Sequence, residues 1–215
     1  MTMTHEMMIW IRRGLLLAAA TTLCACTALA PPPVAQTVYD LGVPRGAQRK
    51  VAGWMPATVE VGAPSWLANS SMQYRRDYLG LASREAYADS RWAGAPGEML
   101  TRFLSSRLAT DGAQATRCRL RVELDEFVQV FDAPAASRAA MRTRVALLAT
   151  RDGRPLARHV ISVEVAADGA DARTGVRAHR DAVHRLADEL IVWMDGLSGD
   201  ARVVSACRGT ESAQR

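Results

Sequence analysis

The residue with the clearest chemistry in this chain is Cys26, which ends the run Leu23-Cys24-Ala25-Cys26. A cysteine with a branched aliphatic three positions before it and a small residue immediately before it suits thiol modification at a processing site. Cys24 fits that pattern less well, because Thr21 then stands where the aliphatic belongs. The remaining reactive side chains are scattered. Cys118 and Cys207 are separated by a long stretch and suit either a bridge in an oxidising compartment or two unpaired thiols. Closing a loop of that length contributes about 4–5 kcal/mol on the chain-entropy account. His159 alternates with apolar residues and reads as a packed or half-buried strand histidine. His179 and His184 lie five apart, about 140° around a helix, too divergent to hold one metal. Asp125-Glu126 reads as a solvated turn at a strand end.

No nucleotide-binding run of the form Gly-x-x-x-x-Gly-Lys-Ser/Thr is present, and Lys50 is the only lysine. A Gly-x-Ser-x-Gly nucleophile elbow is also missing. The residues therefore predict no catalytic site, no metal and no cofactor.

The segment before Cys26 explains the processing site. Arg12-Arg13 is followed by the apolar and small run Gly14–Thr22, too short to span a bilayer, which needs about 20 residues. Charged region, apolar region and small-residue site follow the order of a secretory signal peptide over residues 1–25. The site resembles the bacterial lipobox, whose cysteine thiol is lipidated through one thioether, freed by cleavage of the peptide before it and acylated on its new amine, palmitate being a typical chain. One chain binds a membrane marginally, and two or three hold essentially for good, at about 0.8 kcal/mol per buried methylene. Thr27 takes the place where aspartate would mark inner-membrane retention, and by resemblance to Gram-negative sorting this points to the periplasmic face of the outer membrane.

Loss of the leader removes Arg12, Arg13 and Glu6, so the formal charge falls from +5 to +4, spread without a block of like charges. No basic stripe interleaved with aromatics argues for nucleic acid. Residues 26–36, with Pro31-Pro32-Pro33, read as a tether in partly polyproline II form.

Periodicity then gives the body, residues 37–197. Short strands are expected at 38–41, 58–61 and 72–74, with 42–56 a loop. The stretch from Tyr87 begins irregularly and becomes a helix near Pro96, with Met99, Leu100, Phe103, Leu104 and Leu108 on one face. Asp111-Gly112 reads as its stop. Cys118, Leu120, Val122 and Leu124 alternate with charged residues. Two further strands flank Asp152-Gly153 as a hairpin. The charged alternation predicts a sheet wet on one face. A long helix from about Thr174 to Gly196 carries the stripe Val183, Leu186, Ala187, Leu190, Ile191, Met194 and Leu197. On its other side Arg173, Arg177, Arg180 and His184 share a face, with Arg177–Asp181, Asp181–Arg185 and Arg185–Glu189 at pairing distance along the helix. Residues 198–215 read as a polar, mobile tail. The whole is a single α/β (α+β) domain: a mixed, largely antiparallel sheet of about five or six strands under two main helices. Among the aromatics Trp66, Tyr74, Tyr78, Tyr87 and Trp92, most are expected in the core and an exposed subset in a docking patch.

The lipobox cysteine, Tyr39-Asp40-Leu41-Gly42, Pro64-Ser65-Trp66-Leu67, Met72-Gln73-Tyr74-Arg75, and Tyr87 followed by Arg91-Trp92-Ala93 and a helix with Leu100, Leu104 and Leu108 together resemble the ABC-type transport auxiliary lipoproteins. These include the lipoprotein of the paraquat-inducible operon and relatives that accompany MCE-domain proteins. The resemblance implies a non-enzymatic body at the outer membrane, acting with a permease, an ATPase and an MCE-domain protein. Trp66, Arg91 and Trp92 are the candidate docking residues, and the charged stretch Arg75–Ser90 departs from the family as an insert. Two other readings stand beside it: an assembly factor for an outer-membrane complex, and a membrane-anchored hydrolase whose site would have to converge on His159 or Asp125.

Overall fold

The computed structural model describes residues 35–45, 54, 56, 58–108 and 116–208. The leader, Cys26, nearly all of the tether, Lys50 and the expected stop at Asp111-Gly112 lie outside these residues. The strands are β1 (Thr37–Tyr39), β2 (Thr58–Gly62), β3 (Ser71–Arg76), β4 (Glu85–Trp92), β5 (Cys118–Ala133), β6 (Ala136–Ala149) and β7 (Pro155–Ala167). The helices are α1 (Pro96–Leu108), α2 (Ala172–Gly196) and α3 (Ala201–Cys207). Among the described residues no helix is long and apolar enough to cross a membrane.

All seven strands form one open mixed sheet in the order β1-β4-β3-β5-β6-β7, with β2 paired to β5. β5 is its spine. It pairs antiparallel with β6 along nearly its whole length. Its other edge is shared: β2 runs parallel to Arg119–Glu123, and β3 runs parallel to Gln129–Phe131. Between those two partners the register shifts at Leu124/Glu126. A bulge inserts one residue and flips the alternation. Cys118, Leu120, Val122 and Leu124 face the helices before it, and Phe127, Gln129 and Phe131 do so after it. Val128 and Val130 then turn to the other face, where they meet Ala140.

The sheet has more strands than the sequence suggests, and half of its pairings are parallel (β1–β4, β2–β5, β3–β5) rather than few. The irregular lead-in at Tyr87 is strand β4, and the Arg75–Ser90 stretch is the β3–β4 hairpin rather than a loose insert. β5 and β6 also run on past the bulge, to a tight turn at Pro134-Ala135. The β4 segment is hard to recognise for a local reason. Glu85–Trp92 carries polar residues on both faces, because its apolar side chains bury only at intervals.

α1 and α2 cover one face. Pro96 opens α1, and Leu100, Phe103, Leu104 and Leu108 bury as the periodicity requires. α2 starts from a capping box: the Thr174 amide donates to Asp171 Oδ1 at 2.7 Å and the Asp171 amide to Thr174 Oγ1 at 3.3 Å. The Thr174 backbone bond, foremost, holds the Asp171 carboxyl below its usual range. The predicted stripe from Val183 to Met194 is buried. The helix surface pairs differently from expectation: Asp181 reaches Arg45, Arg177 reaches Asp168, and Arg185 reaches the Glu164 carbonyl, all off the helix.

Residues 197–208 are not a loose tail. They form a short turn and α3, with Val203 and Cys207 buried. Cys207 is bonded to Cys118, their Cα atoms 5.0 Å apart. The Arg117 amide donates to the Cys207 carbonyl at 2.9 Å, and Trp54 Nε1 to Ser198 Oγ at 3.2 Å, so the segment is pinned at several points.

A buried polar knot joins α2 to the sheet. Gln129 donates to Ser137 Oγ at 2.8 Å and accepts from Tyr87 Oη at 3.0 Å, and Ser137 donates to the Gly169 carbonyl at 2.9 Å. Burial, first of all, pushes the Tyr87 phenol up. Beside this knot His179 is buried between Trp92 and Phe127, ring centroids 5.5 and 4.5 Å away, and its Nδ1 meets the Gly175 carbonyl at 2.8 Å. Burial pushes its pKa down to about 4, against partial opposition from backbone hydrogen bonding at Gly175 and Val128. The unfolded chain titrates this histidine near 6.5, so between there and about 4 the unfolded state binds the extra proton. Its contribution is complete above pH 6.5 and is lost as pH falls, the loss amounting to about 3 kcal/mol near and below pH 4. Urea midpoints measured between pH 6.5 and 5, where carboxylates stay ionised, will fall for the native chain and flatten in His179→Phe.

Candidate docking surface

From the start of β5 to the bulge, the face of the sheet away from the helices is charged and largely exposed, and beyond the bulge Val128, Val130 and Ala140 are buried on it. Strand alternation places Arg119, Arg121 and Glu123 of β5, Arg142 and Arg144 of β6, and Arg158, Ser162 and Glu164 of β7 on it. Many are paired across strands. Arg144 makes a two-pronged contact with Asp125 at 2.8 Å for each oxygen, and this holds the Asp125 carboxyl below its usual range. Glu126 takes Arg84 at 2.8 Å and Arg75 at 3.4 Å. The acidic pair is therefore not a solvated turn at a strand end. It lies within β5 at the bulge, with both carboxylates in ion pairs.

At the hairpin end of this face, around Gly153, is a groove of about 820 Å³. Ala146, Leu148, Pro155 and Val160 give it apolar walls, and Arg121, Arg144 and Arg158 stand around them with Glu123, which pairs with Arg121 at 2.6 Å. Arg158 is exposed and has no ion-pair partner among the described residues. Apolar contact area ringed by guanidinium groups is the composition that anchors protein partners.

The three candidate docking residues separate. Trp66 sits in a one-turn 3₁₀ segment, 52% exposed, with its carbonyl accepting from Gln73 Nε2 at 2.6 Å. Arg91 is on β4 opposite Ser71. Trp92 is 2% exposed and packs edge-on to Phe127, so it is core and not a contact residue. Of the other aromatics, Tyr74 and Tyr87 pack together at 4.8 Å, and Tyr78 is exposed.

The histidines also divide. His159 is exposed rather than packed away, and it lies flat on Trp193 at 5.7 Å. It occupies the helix side of β7, opposite Val145, while Asp125 and Arg144 occupy the other face, so the sheet separates the two groups a hydrolytic site would have needed. His184 meets Phe103, and His179 faces the core. Among the described residues no three metal-ligating side chains converge.

The Tyr39-Asp40-Leu41-Gly42 motif is structural. Asp40 Oδ1 accepts from the Gly42 amide at 2.7 Å, and Gly42 takes φ 71°. A Cβ there would lie 2.6 Å from Arg180 Nη2. Gly42→Ala will cost about 1–3 kcal/mol from backbone strain and displacement of Arg180. Gly80→Ala is the control: Gly80 has φ 66° with nothing within 4 Å. It will lose only the backbone share, and paired urea melts measure the difference.

Comparison with protein families finds that the model for the ABC-type transport auxiliary lipoprotein component matches residues 39–191. This chain belongs to that family. The match begins in the Asp40 turn and ends near the close of the α2 stripe, so Cys207 lies outside it. No curated protein matches the chain. Among solved structures, it is similar to protein XCC0632 from Xanthomonas campestris, of family DUF330, at 17% identity and TM-score 0.61. That match covers 77% of this chain and 99% of the other. A crystal structure of an uncharacterized protein matches at 14% identity and TM-score 0.57, covering 74% and 99%. At these identities the likeness is one of fold. The auxiliary lipoprotein family associates this chain with an ABC-type transport system and with membrane anchoring.

Position alone hid the groove residues from the sequence. Arg144 and Arg158 belong to different strands, and only the β6–β7 register brings them to one place. The signal that was present was the arginine alternation along both strands.

Proposed function

We propose that this auxiliary lipoprotein is held by acyl chains on Cys26 to the periplasmic face of the outer membrane. There it acts as a non-enzymatic docking component of an MCE-linked transport system for lipid or another hydrophobic solute. Family membership over residues 39–191 is the observation that carries the reading. The lipobox-like run Leu23–Cys26 supports the anchor, and the charged sheet face with its arginine-ringed groove supports the docking role. In this arrangement a permease and an ATPase supply energy from elsewhere. This chain contributes a fixed position and a surface, of which Trp66 and the groove are exposed parts and Arg91 a half-buried one.

The experiment is site-specific photo-crosslinking in cells, with the reactive group at Val160 in the groove and, separately, at Trp66. Adducts to an MCE-domain subunit from either position are expected. A correctly processed, membrane-bound protein that gives no adduct to any transport subunit from either position contradicts the docking role.

A further inference from the structure

Three of the exposed large apolar side chains fall within four residues. Tyr78, Leu79 and Leu81 are 40%, 47% and 61% exposed, at the tip of the β3–β4 hairpin. Gly80 between them takes φ 66° and turns the chain there. The tip is rigidly founded. Arg76 holds Glu85 across the hairpin at 2.5 Å, Arg75 holds Asp77 at 3.1 Å, and Arg84 holds Glu126 at 2.8 Å. Those pairs also neutralise the arginine collar, so the projecting surface is apolar rather than basic.

The direction from which the chain enters the body gives this tip its partner. β1 runs parallel to β4, with Thr37 opposite Ser90 and Tyr39 opposite Trp92. Just before β1, Gln36 Nε2 donates to the Ala88 carbonyl at 3.0 Å. Ala88 is three residues into β4, about 10 Å from the hairpin end of that strand. The tether therefore joins the sheet on the side where the tip projects. Gln36 lies ten positions after Cys26, a reach of about 30 Å if fully extended in polyproline II form.

We infer that the β3–β4 tip is a second membrane contact, in which Tyr78, Leu79 and Leu81 enter the interfacial layer of the leaflet that holds Cys26. The inference rests on the anchor proposed above. A tyrosine beside two leucines suits that layer, since the ring carries an apolar body and a polar end. Three side chains add a weak, reversible attachment. With the anchor supplying local concentration, weak attachment suffices to orient the body. The groove around Gly153 lies at the opposite end of the strands, so the same orientation turns it away from the lipid and toward the periplasm.

The test uses the full acylated protein reconstituted in vesicles of phosphatidylethanolamine and phosphatidylglycerol. An environment-sensitive fluorophore is placed at Leu79→Cys or, as the control, at Val43→Cys, which follows β1 at the other end. Flotation reports the anchor, and fluorescence reports the tip. The inference expects a severalfold rise and blue shift at position 79, quenching by brominated lipid, little dependence on salt, and no change at position 43. The variant Tyr78→Ser/Leu79→Ser/Leu81→Ser will still float, and a label at Ser83→Cys, an exposed position beside the tip, will lose in it the response that the same label gives in the native background. Protein that floats while the label at 79 stays in water overturns the inference and leaves the anchor intact, as expected if the tip fits an apolar pocket on another protein instead. Protein that does not float overturns the anchor and this inference with it.

Discussion

Replacing Trp92 by alanine will destabilise the fold by about 3–5 kcal/mol, the usual range for emptying a buried large aromatic site. The indole is 2% exposed and closes against Phe127 and His179. Its amide donates to the Ser70 carbonyl at 2.8 Å, so it also ties β4 to the turn before β3. The gap left behind adjoins a neutral buried histidine, which would then admit water and begin to protonate at higher pH. A Tm fall of roughly 6–20 °C is expected for a domain of this size, measured by thermal melting at neutral pH. Trp66→Ala, at a half-exposed position, will stay within about 0.5 kcal/mol of the native chain. A pair of melts thus separates the tryptophan that builds the body from the one available to a partner. Equal losses in the two variants would contradict the burial described above.

Removing the Cys118–Cys207 bond will cost about 4–5 kcal/mol in the chain-entropy account, since it closes a loop spanning 89 positions. The double variant Cys118→Ala/Cys207→Ala isolates that term. Both sulfurs are buried, at 1% and 0% exposure, so some packing loss accompanies it. The consequence is not uniform over the molecule. The bond fastens α3 against the start of β5, where Arg117 and Thr150 complete the backbone contacts. Residues 197–208 should therefore become the earliest site of proteolysis, ahead of the sheet. Denaturant midpoints with and without reductant, followed by mapping of the first cleavage, test both parts. Unchanged midpoints on reduction would contradict the stabilising role.

Much of the fold was legible because the elements that matter most repeat at one period. The α2 stripe, the α1 face, the β5 alternation up to Leu124 and the Asp152-Gly153 hairpin all follow from spacing alone. The reading failed where one residue changes the phase. The bulge at Leu124/Glu126 makes Asp125-Glu126 look like the end of a strand, although β5 continues to Ala133. Beyond it both faces are buried, Val128 and Val130 on one and Phe127 and Gln129 on the other, and alternation disappears as a signal. The tail misled for a different reason. Ala201–Cys207 is too short to show a period, and its order comes from the bond to Cys118. At the candidate surface, the sequence supplied exposed Trp66 but placed Trp92 beside it, since adjacency to Arg91 says nothing about which side of a strand faces the core. The groove depended on register between strands, which no local pattern encodes.

The proposed role depends on attachment of lipid to one sulfur atom, that of Cys26. Intact mass and peptide spectrometry of the protein isolated from membranes tests this directly. The predicted result is a chain beginning at Cys26, carrying two acyl chains through a thioether and a third on its amine, and recovered in the outer-membrane fraction. A mature chain with a free thiol at Cys26, or one that begins elsewhere and remains in the periplasmic extract, would contradict it.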